Sequence, residues 1–467
     1  MPDAIASSGS DWRPPAPYPR AEPPNRWRLV RTVGDDLLAT WSSQAFELPV
    51  LSWRMFGNDS VLINDPALIR HVLVDNQANY RKSVIARRLL SPGVGNGLLL
   101  SEGAVWQRQR RTLAPAFTPR AIAALVPTFV AATDDALAHW PGQGSGQGSG
   151  QVDGLRAVER LTLDIAARTM FSTALGPRVD RFASLVEEFQ HKVGRPTLLD
   201  MLAAGGLNPL PDFLRAGFRR RWRAMIDGFI AERRAVPGTG AGTPRDVLDI
   251  LLSATDPETG AGFTPEEIRD QVGTMLAAGF ETTAMALYWT LYILGCRPDV
   301  QERARAEAVA ADLSAEGAAA AAERMPYLVA VILESLRLYP PAHTVSRLAM
   351  GPDRLGPVEV RQGTTVLISP YVLQRHRRLW RDPDIFRAER FLPGSDEANR
   401  PYTWLPFGGG PRICIGMAFA RVEMAVVVAK ILSRYRLTVP DPAAVRPVGK
   451  VTILPVGDTR LMVERLG

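Results

Sequence analysis

Cysteine is almost absent from this chain: two residues of 467, Cys296 and Cys414. That excludes a disulfide-stapled extracellular scaffold and makes a reducing compartment the expectation. Cys296 ends a long apolar run and reads as a packed core residue, which leaves Cys414 as the thiol with chemistry to offer. Long apolar runs are scarce as well. Only Val272 to Cys296, in which Glu281 is the single charge, is long enough to span a bilayer. A helix apolar all round can equally be the central helix of a large core. The acid beside Thr282 and Thr283 fits that reading better, and no second segment would keep it company in a membrane. The first 25 residues, rich in Pro, Ala and Ser, carry neither a charged-then-apolar leader nor an anchor. A loosely held arm over 1–25, no transmembrane anchor and a cytoplasmic location are expected.

Two further absences narrow the function. The glycine runs Gly93-Val94-Gly95-Asn96-Gly97 and Gly408-Gly409-Gly410 do not follow a strand and open a helix with a dinucleotide fingerprint, so no NAD or flavin site is expected within the chain. The formal charge of +7 is spread along the sequence without aromatic interleaving, which speaks against nucleic acid. A local account is better: Arg108, Arg110, Arg111, Arg412, Arg421 and the stretch Arg375 to Arg381 would gather on one face and attract an acidic partner.

What is present centres on Phe407-Gly408-Gly409-Gly410-Pro411-Arg412-Ile413-Cys414-Ile415-Gly416. Here a thiol sits in a glycine-rich loop just before the helix-forming run Met417 to Leu432. The positive end of a helix and nearby backbone N–H groups favour thiolate over thiol, and the glycines let the backbone lie close against a flat partner. Such a thiolate suits a haem iron.

The stretch resembles the haem-binding loop of the cytochrome P-450 family, F-G-x-G-x-R-x-C-x-G, at every fixed position: Phe407, Gly408, Gly410, Arg412, Cys414 and Gly416. The resemblance implies that Cys414 is the axial ligand of the iron of haem b, that Phe407 packs beside the sulfur, and that Arg412 reaches a haem propionate. Other signatures follow the family order. Glu334-Ser335-Leu336-Arg337 matches E-x-x-R; three residues apart on a helix, Glu334 and Arg337 can pair, and Arg390, in Ala388-Glu389-Arg390-Phe391, would complete a buried charge cluster beneath the haem. Ala278-Gly279-Phe280-Glu281-Thr282-Thr283 resembles the oxygen-activating segment. Ala278 and Gly279 would leave room for a diatomic ligand, Thr282 would donate a hydrogen bond where oxygen is activated, and Glu281 would relay protons. Trp106 and Arg110 match W-x-x-x-R, and Arg347 matches a further propionate-binding arginine; guanidiniums suit carboxylates because each pair can be bidentate.

The resemblance covers residues 26 to 467. Because residues 106, 282, 334 and 414 would all serve one haem and its support, 26–467 is expected to form one large domain, mainly α with small β-sheets. Glu47 to Phe56 and Ser60 to Asn64 read as paired strands. Pro357 to Ser369 reads as a hairpin broken at Arg361-Gln362-Gly363, and Tyr435 to Val439 with Val451 to Glu464 as late strands. Pro141 to Gly154 and Val236 to Gly242 read as loops. The implied activity is a monooxygenase that inserts one atom of O2 into a small apolar substrate. Its electrons would come from NAD(P)H only indirectly, through a ferredoxin or flavodoxin with its reductase. The substrate pocket is expected along the loop Ser83 to Leu100, near Phe280, and at Ala342 to Val345. A peroxide-driven oxygenase or isomerase on the same fold, or a haem-based ligand sensor, are the alternatives; the acid–threonine pair Glu281-Thr282 argues against each.

Overall fold

The computed structural model describes residues 11–17, 19–21, 32–55, 57–142, 148–172, 179–197, 199–200, 203, 213–235, 246–397 and 399–466. The helices that build the site are α1 (Val84–Val94), α2 (Gly103–Leu113), α3 (Pro119–Leu137), α4 (Gly154–Phe171), α5 (Pro265–Cys296), α6 (Pro326–Leu338) and α7 (Met417–Arg434). The strands β1 to β12 are Val50–Met55, Asn58–Ile63, Tyr80–Lys82, Ser149–Asp153, Val345–Ala349, Asp353–Leu355, Val358–Val360, Thr365–Ile368, Tyr435–Thr438, Val445–Gly449, Ile453–Gly457 and Arg460–Arg465.

Helix α5 is the axis of the fold. Thr264 accepts from the Glu267 N–H while Glu267 reaches back to the Thr264 N–H, and Pro265 stands at the first helical position. This capping box fixes the start seven residues before the apolar run begins. The helix is about 48 Å long at 1.5 Å per residue, buried over most of its length, and packs against α4, α6 and α7. Burial from neighbouring protein explains why it is apolar all round. Among the described residues no single helix is long and apolar enough to cross a membrane.

The strands form four small sheets, the largest in the order β1-β2-β8-β5-β3. Strands β1 and β2 pair antiparallel as expected, with Trp53 opposite Ser60. The second expected hairpin is not one: β7 pairs with β6, while β8 runs parallel to β2 and antiparallel to β5. The turn at Gly363 thus separates two sheets, because the apolar face of β8 finds its partners far away in sequence. The loop reading of 141–154 also needs correction. Ser149–Asp153 is strand β4, paired with β12, which pairs with β9 on its other edge; residues 143–147 and the expected break at 236–242 lie outside the described residues. The tail is likewise divided, since β11 pairs with β10 and β12 belongs to another sheet. Finally, part of the arm read as loosely held is docked. Trp12 is buried, its carbonyl accepts from the Phe386 N–H at 3.2 Å, and Pro15 accepts from the Tyr339 hydroxyl at 2.7 Å.

Candidate active site

Three backbone bonds shape the Cys414 loop: Gly408 N–H to Leu405, Ile413 N–H to Gly410, and Cys414 N–H to Phe407 at 2.9 Å. Gly408 and Gly410 have φ of +73° and +68°, and a Cβ on Gly410 would stand 2.5 Å from the Leu73 carbonyl. Glycine is required at 410 by both conformation and approach. The backbone it lies against is the turn at Leu73. Cys414 is exposed, yet surrounded by protein on most sides, just before α7. Burial pushes the thiol up, while the Gly416 N–H and the Arg110 guanidinium pull it down. Without a metal the net shift is upward, because desolvation outweighs the amide and the guanidinium. A bound metal cation removes that proton outright.

Arg110 donates to the Ile413 carbonyl at 2.9 Å, bracing the thiol loop from α2. The Trp106 ring lies 4.6 Å from the Arg412 guanidinium carbon, and Arg412 donates to Ser101 and to Glu102. Phe407 stands edge-on to Trp404 at 6.1 Å. Arg347 lies on β5 directly across from Lys82 on β3. Two like charges opposite one another on a sheet repel, and Arg412 adds a third cation. Burial and then Arg412 bring the Arg347 guanidinium down to about 10; burial and the neighbouring arginines, Arg347 first, hold Lys82 well below its ordinary value. Glu102 is the one carboxylate acting on all of them. It accepts from the Lys82 N–H at 2.7 Å and lies 3.6 Å from Arg87. Such a concentration of buried positive charge fits the two propionates of a haem, with the open Cys414 to hold its iron. Lys82 and Glu102 were missed by sequence reasoning. Glu102 precedes the helix carrying Trp106, which is a usable signal; nothing local marks Lys82, whose partner is on a distant strand. Lys82→Ala in the haem-loaded protein should speed haem loss to apomyoglobin by roughly tenfold or more, the worth of one hydrogen bond to a charged group. An unchanged rate would remove Lys82 from the cradle.

On α5, Thr282 donates to the Ala278 carbonyl at 2.6 Å and Thr283 to Gly279 at 2.8 Å, bonds of the kind that bend a helix. Gly279 is exposed, and Ala278 and Thr282 half-exposed, on a helix otherwise largely buried. Phe280 and Leu276 join Leu113 and Phe182 in one apolar cluster, and Ile415, next to Cys414, packs against it. The open patch and the thiol therefore border the same apolar region. Glu281 is buried on another side, accepting from the Thr452 hydroxyl at 2.8 Å, and burial raises its carboxyl above the ordinary range. The expected pocket wall 83–100 is mostly helix α1, started by Ser83 capping the Ala86 N–H, rather than a loop.

Beneath the thiol loop, Arg337 is bidentate to Glu334 at 2.6 and 2.7 Å and donates to the carbonyls of Gln374, Pro383 and Ile385. Arg390 lies 3.5 Å from Glu334 and bonds to Glu397 at 2.5 Å. All three side chains of the predicted cluster are fully buried. The expected basic face is thinner than the sequence suggests. Arg108 pairs with Glu267, Arg111 with Asp256 and Glu258, and Arg377 with Asp384, while Arg375 is buried over Tyr371.

Comparison with known proteins points to one family. The family model described as Cytochrome P450 matches residues 37–456. Cyclooctatin synthase of Streptomyces melanosporofaciens is 33% identical over 85% of this chain and 85% of its own length. Cyclooctat-9-en-7-ol 5-monooxygenase of the same organism is 34% identical over 82% and 81%. Leukotriene-B4 omega-hydroxylase 3 of Mus musculus is 31% identical over 85% and 79%. The crystal structure of the cytochrome P450DA heme domain superposes with a TM-score of 0.79 at 25% identity, covering 97% of this chain and 99% of that one.

Proposed function

This chain belongs to the cytochrome P450 family and is a haem-dependent monooxygenase that draws electrons from a redox partner; from that premise we propose how its own residues divide the work. Haem, when bound, supplies the iron at which O2 is reduced and cleaved, one atom going to substrate and the other to water. In this reading the group is haem b, with Cys414 as its protein ligand. Arg347, Arg412 and Lys82 neutralise its propionates, Trp106 backs Arg412, and Arg110 holds the thiol loop in place. The observation that carries the reading is the open patch Ala278, Gly279 and Thr282 on a buried helix, bordering the apolar cluster beside Cys414. Small residues there leave space, and the Thr282 hydroxyl is the polar group at hand to pass protons; Glu281 is their reservoir.

The substrate in this reading is rich in hydrocarbon and poor in charge. Phe280, Leu276 and Ile415 supply an apolar lining, and relatives named for cyclooctat-9-en-7-ol and leukotriene B4 fit that class. Residues 26–467 act as one domain in the cytoplasm, and NAD(P)H contributes electrons through a ferredoxin or flavodoxin and its reductase.

Thr282→Ala tests the assignment. Haem content and substrate binding should persist, because a small-for-small exchange leaves the packing alone. Product per reduced cofactor oxidised should fall as hydrogen peroxide rises. A peroxide-driven enzyme, an isomerase or a sensor would show no such redistribution, and an unchanged ratio would take Thr282 out of the mechanism.

A further inference from the structure

We propose that Thr452, at the tip of the β10–β11 hairpin, is a positioning residue that sets the aim of the Glu281 carboxyl. This rests on the reading of Glu281 as the proton reservoir for Thr282. The two side chains leave α5 from successive positions, and neighbours in sequence on a helix do not face each other. The Thr282 hydroxyl bonds back to Ala278 on the open side, whereas the Glu281 carboxyl is turned into the protein and held at 2.8 Å by Thr452. Both Glu281 and Thr452 are buried. The direction of the acid is therefore set by a residue 171 positions away in sequence.

The hairpin tip is built to hold still. The Lys450 N–H donates to the Thr452 carbonyl at 2.8 Å, closing the turn. The Lys450 carbonyl accepts from His343 Nε2 at 2.8 Å; burial keeps that imidazole neutral, so Nε2 carries its proton. The Lys450 ammonium reaches the Gly34 carbonyl at 3.0 Å and that of Asp35. Val451 leaves no room for a side chain at Gly194. Two helical turns beyond Glu281, Trp289 Nε1 donates to the Ile453 carbonyl at 3.0 Å, so α5 itself carries the hairpin. Hydroxyl and carboxyl are thus fixed on one frame. The other polar groups acting on the acid are the Gln190 amide, which favours its charged form, and Glu159 on α4, whose carboxyl repels it. The Thr452 hydroxyl donates to the charged form, opposing both burial and that repulsion.

The test uses the full haem-loaded chain with NADPH, a plant-type ferredoxin and its reductase, without organic substrate. The readout is the share of reducing equivalents recovered as hydrogen peroxide rather than water. Thr452→Val should raise that share several-fold, Thr452→Ser should restore it, and Glu281→Gln should raise it at least as far. The double variant should match Glu281→Gln alone, because both act through one carboxyl. Infrared difference spectra should show a buried carboxyl band absent in Glu281→Gln, shifted in Thr452→Val and unmoved in Thr452→Ser. If Thr452→Val does not retain haem, Thr452→Ala carries the same comparisons. An effect of Glu281→Gln with none from Thr452→Val, or additive effects in the double variant, overturns the role of Thr452 and leaves Glu281 standing. No effect of Glu281→Gln removes both.

Discussion

A Cys414→His protein is expected to lose the long-wavelength absorption of its reduced carbon-monoxide complex, and its monooxygenase turnover with it. Cys414 is the exposed thiol of the two, whereas Cys296 is half-buried beside Tyr292 and burial pushes it up to about 12. The site gives histidine no equivalent: the Gly416 N–H and the nearby charge of Arg110 favour an anion, and a neutral imidazole cannot use them. Persistence of the thiolate-type absorption in the variant would show that another group holds the iron. Persistence of activity without it would show that the thiolate is dispensable.

Glu334→Ala should be the most damaging single change away from the thiol. The substitution strands the fully buried Arg337 without a carboxylate, leaves Arg390 with Glu397 alone, and takes from the Arg387 N–H its acceptor at 2.9 Å. Removing one partner of a buried pair costs roughly 3–5 kcal/mol, a large part of the ~5–15 kcal/mol that holds a domain folded. Little soluble, haem-loaded protein should accumulate, and what does should melt many degrees lower. Replacing the whole cluster with apolar residues, which rescues some buried ion pairs, should fail in this fold. Arg337 also serves three backbone carbonyls that no apolar side chain can satisfy. Normal yield and melting temperature for Glu334→Ala would mean that the pair is only a local contact.

These two sites were legible in the sequence because their determinants are local. Glu334 and Arg337 are one helical turn apart, and the Cys414 loop is defined by glycines and an arginine within ten residues. The central helix was legible from its apolar run, although its true start lay in the Thr264–Glu267 capping box upstream. Misreadings arose where a local signal was overruled from a distance. The stretch Ser83 to Leu100 was expected as a loop, yet Pro92 and Gly93 fall in the last turn of α1, where Trp222 donates to the Gly93 carbonyl at 2.7 Å. The glycine-rich stretch before residue 154 suggested an unstructured loop, yet β12 recruits its end as a strand. Lys82 and Thr452 act only through partners that the fold delivers, so no window of sequence around them announces a role.

The pairing of β3 with β5 has a consequence for the order in which the molecule comes together. It sets Lys82 opposite Arg347 and joins Ser83 to Ser346 across 263 residues at 2.6 Å. Closing a loop that long is entropically uphill, though each doubling of length adds only about 0.6 kcal/mol, and contacts of this range form slowly. Helices α5 and α6 can form from contacts near in sequence, but half of the cationic cradle does not exist until this distant seam shuts. Cofactor capture is therefore a late event in folding, and haem that binds the closed seam stabilises the folded chain by mass action.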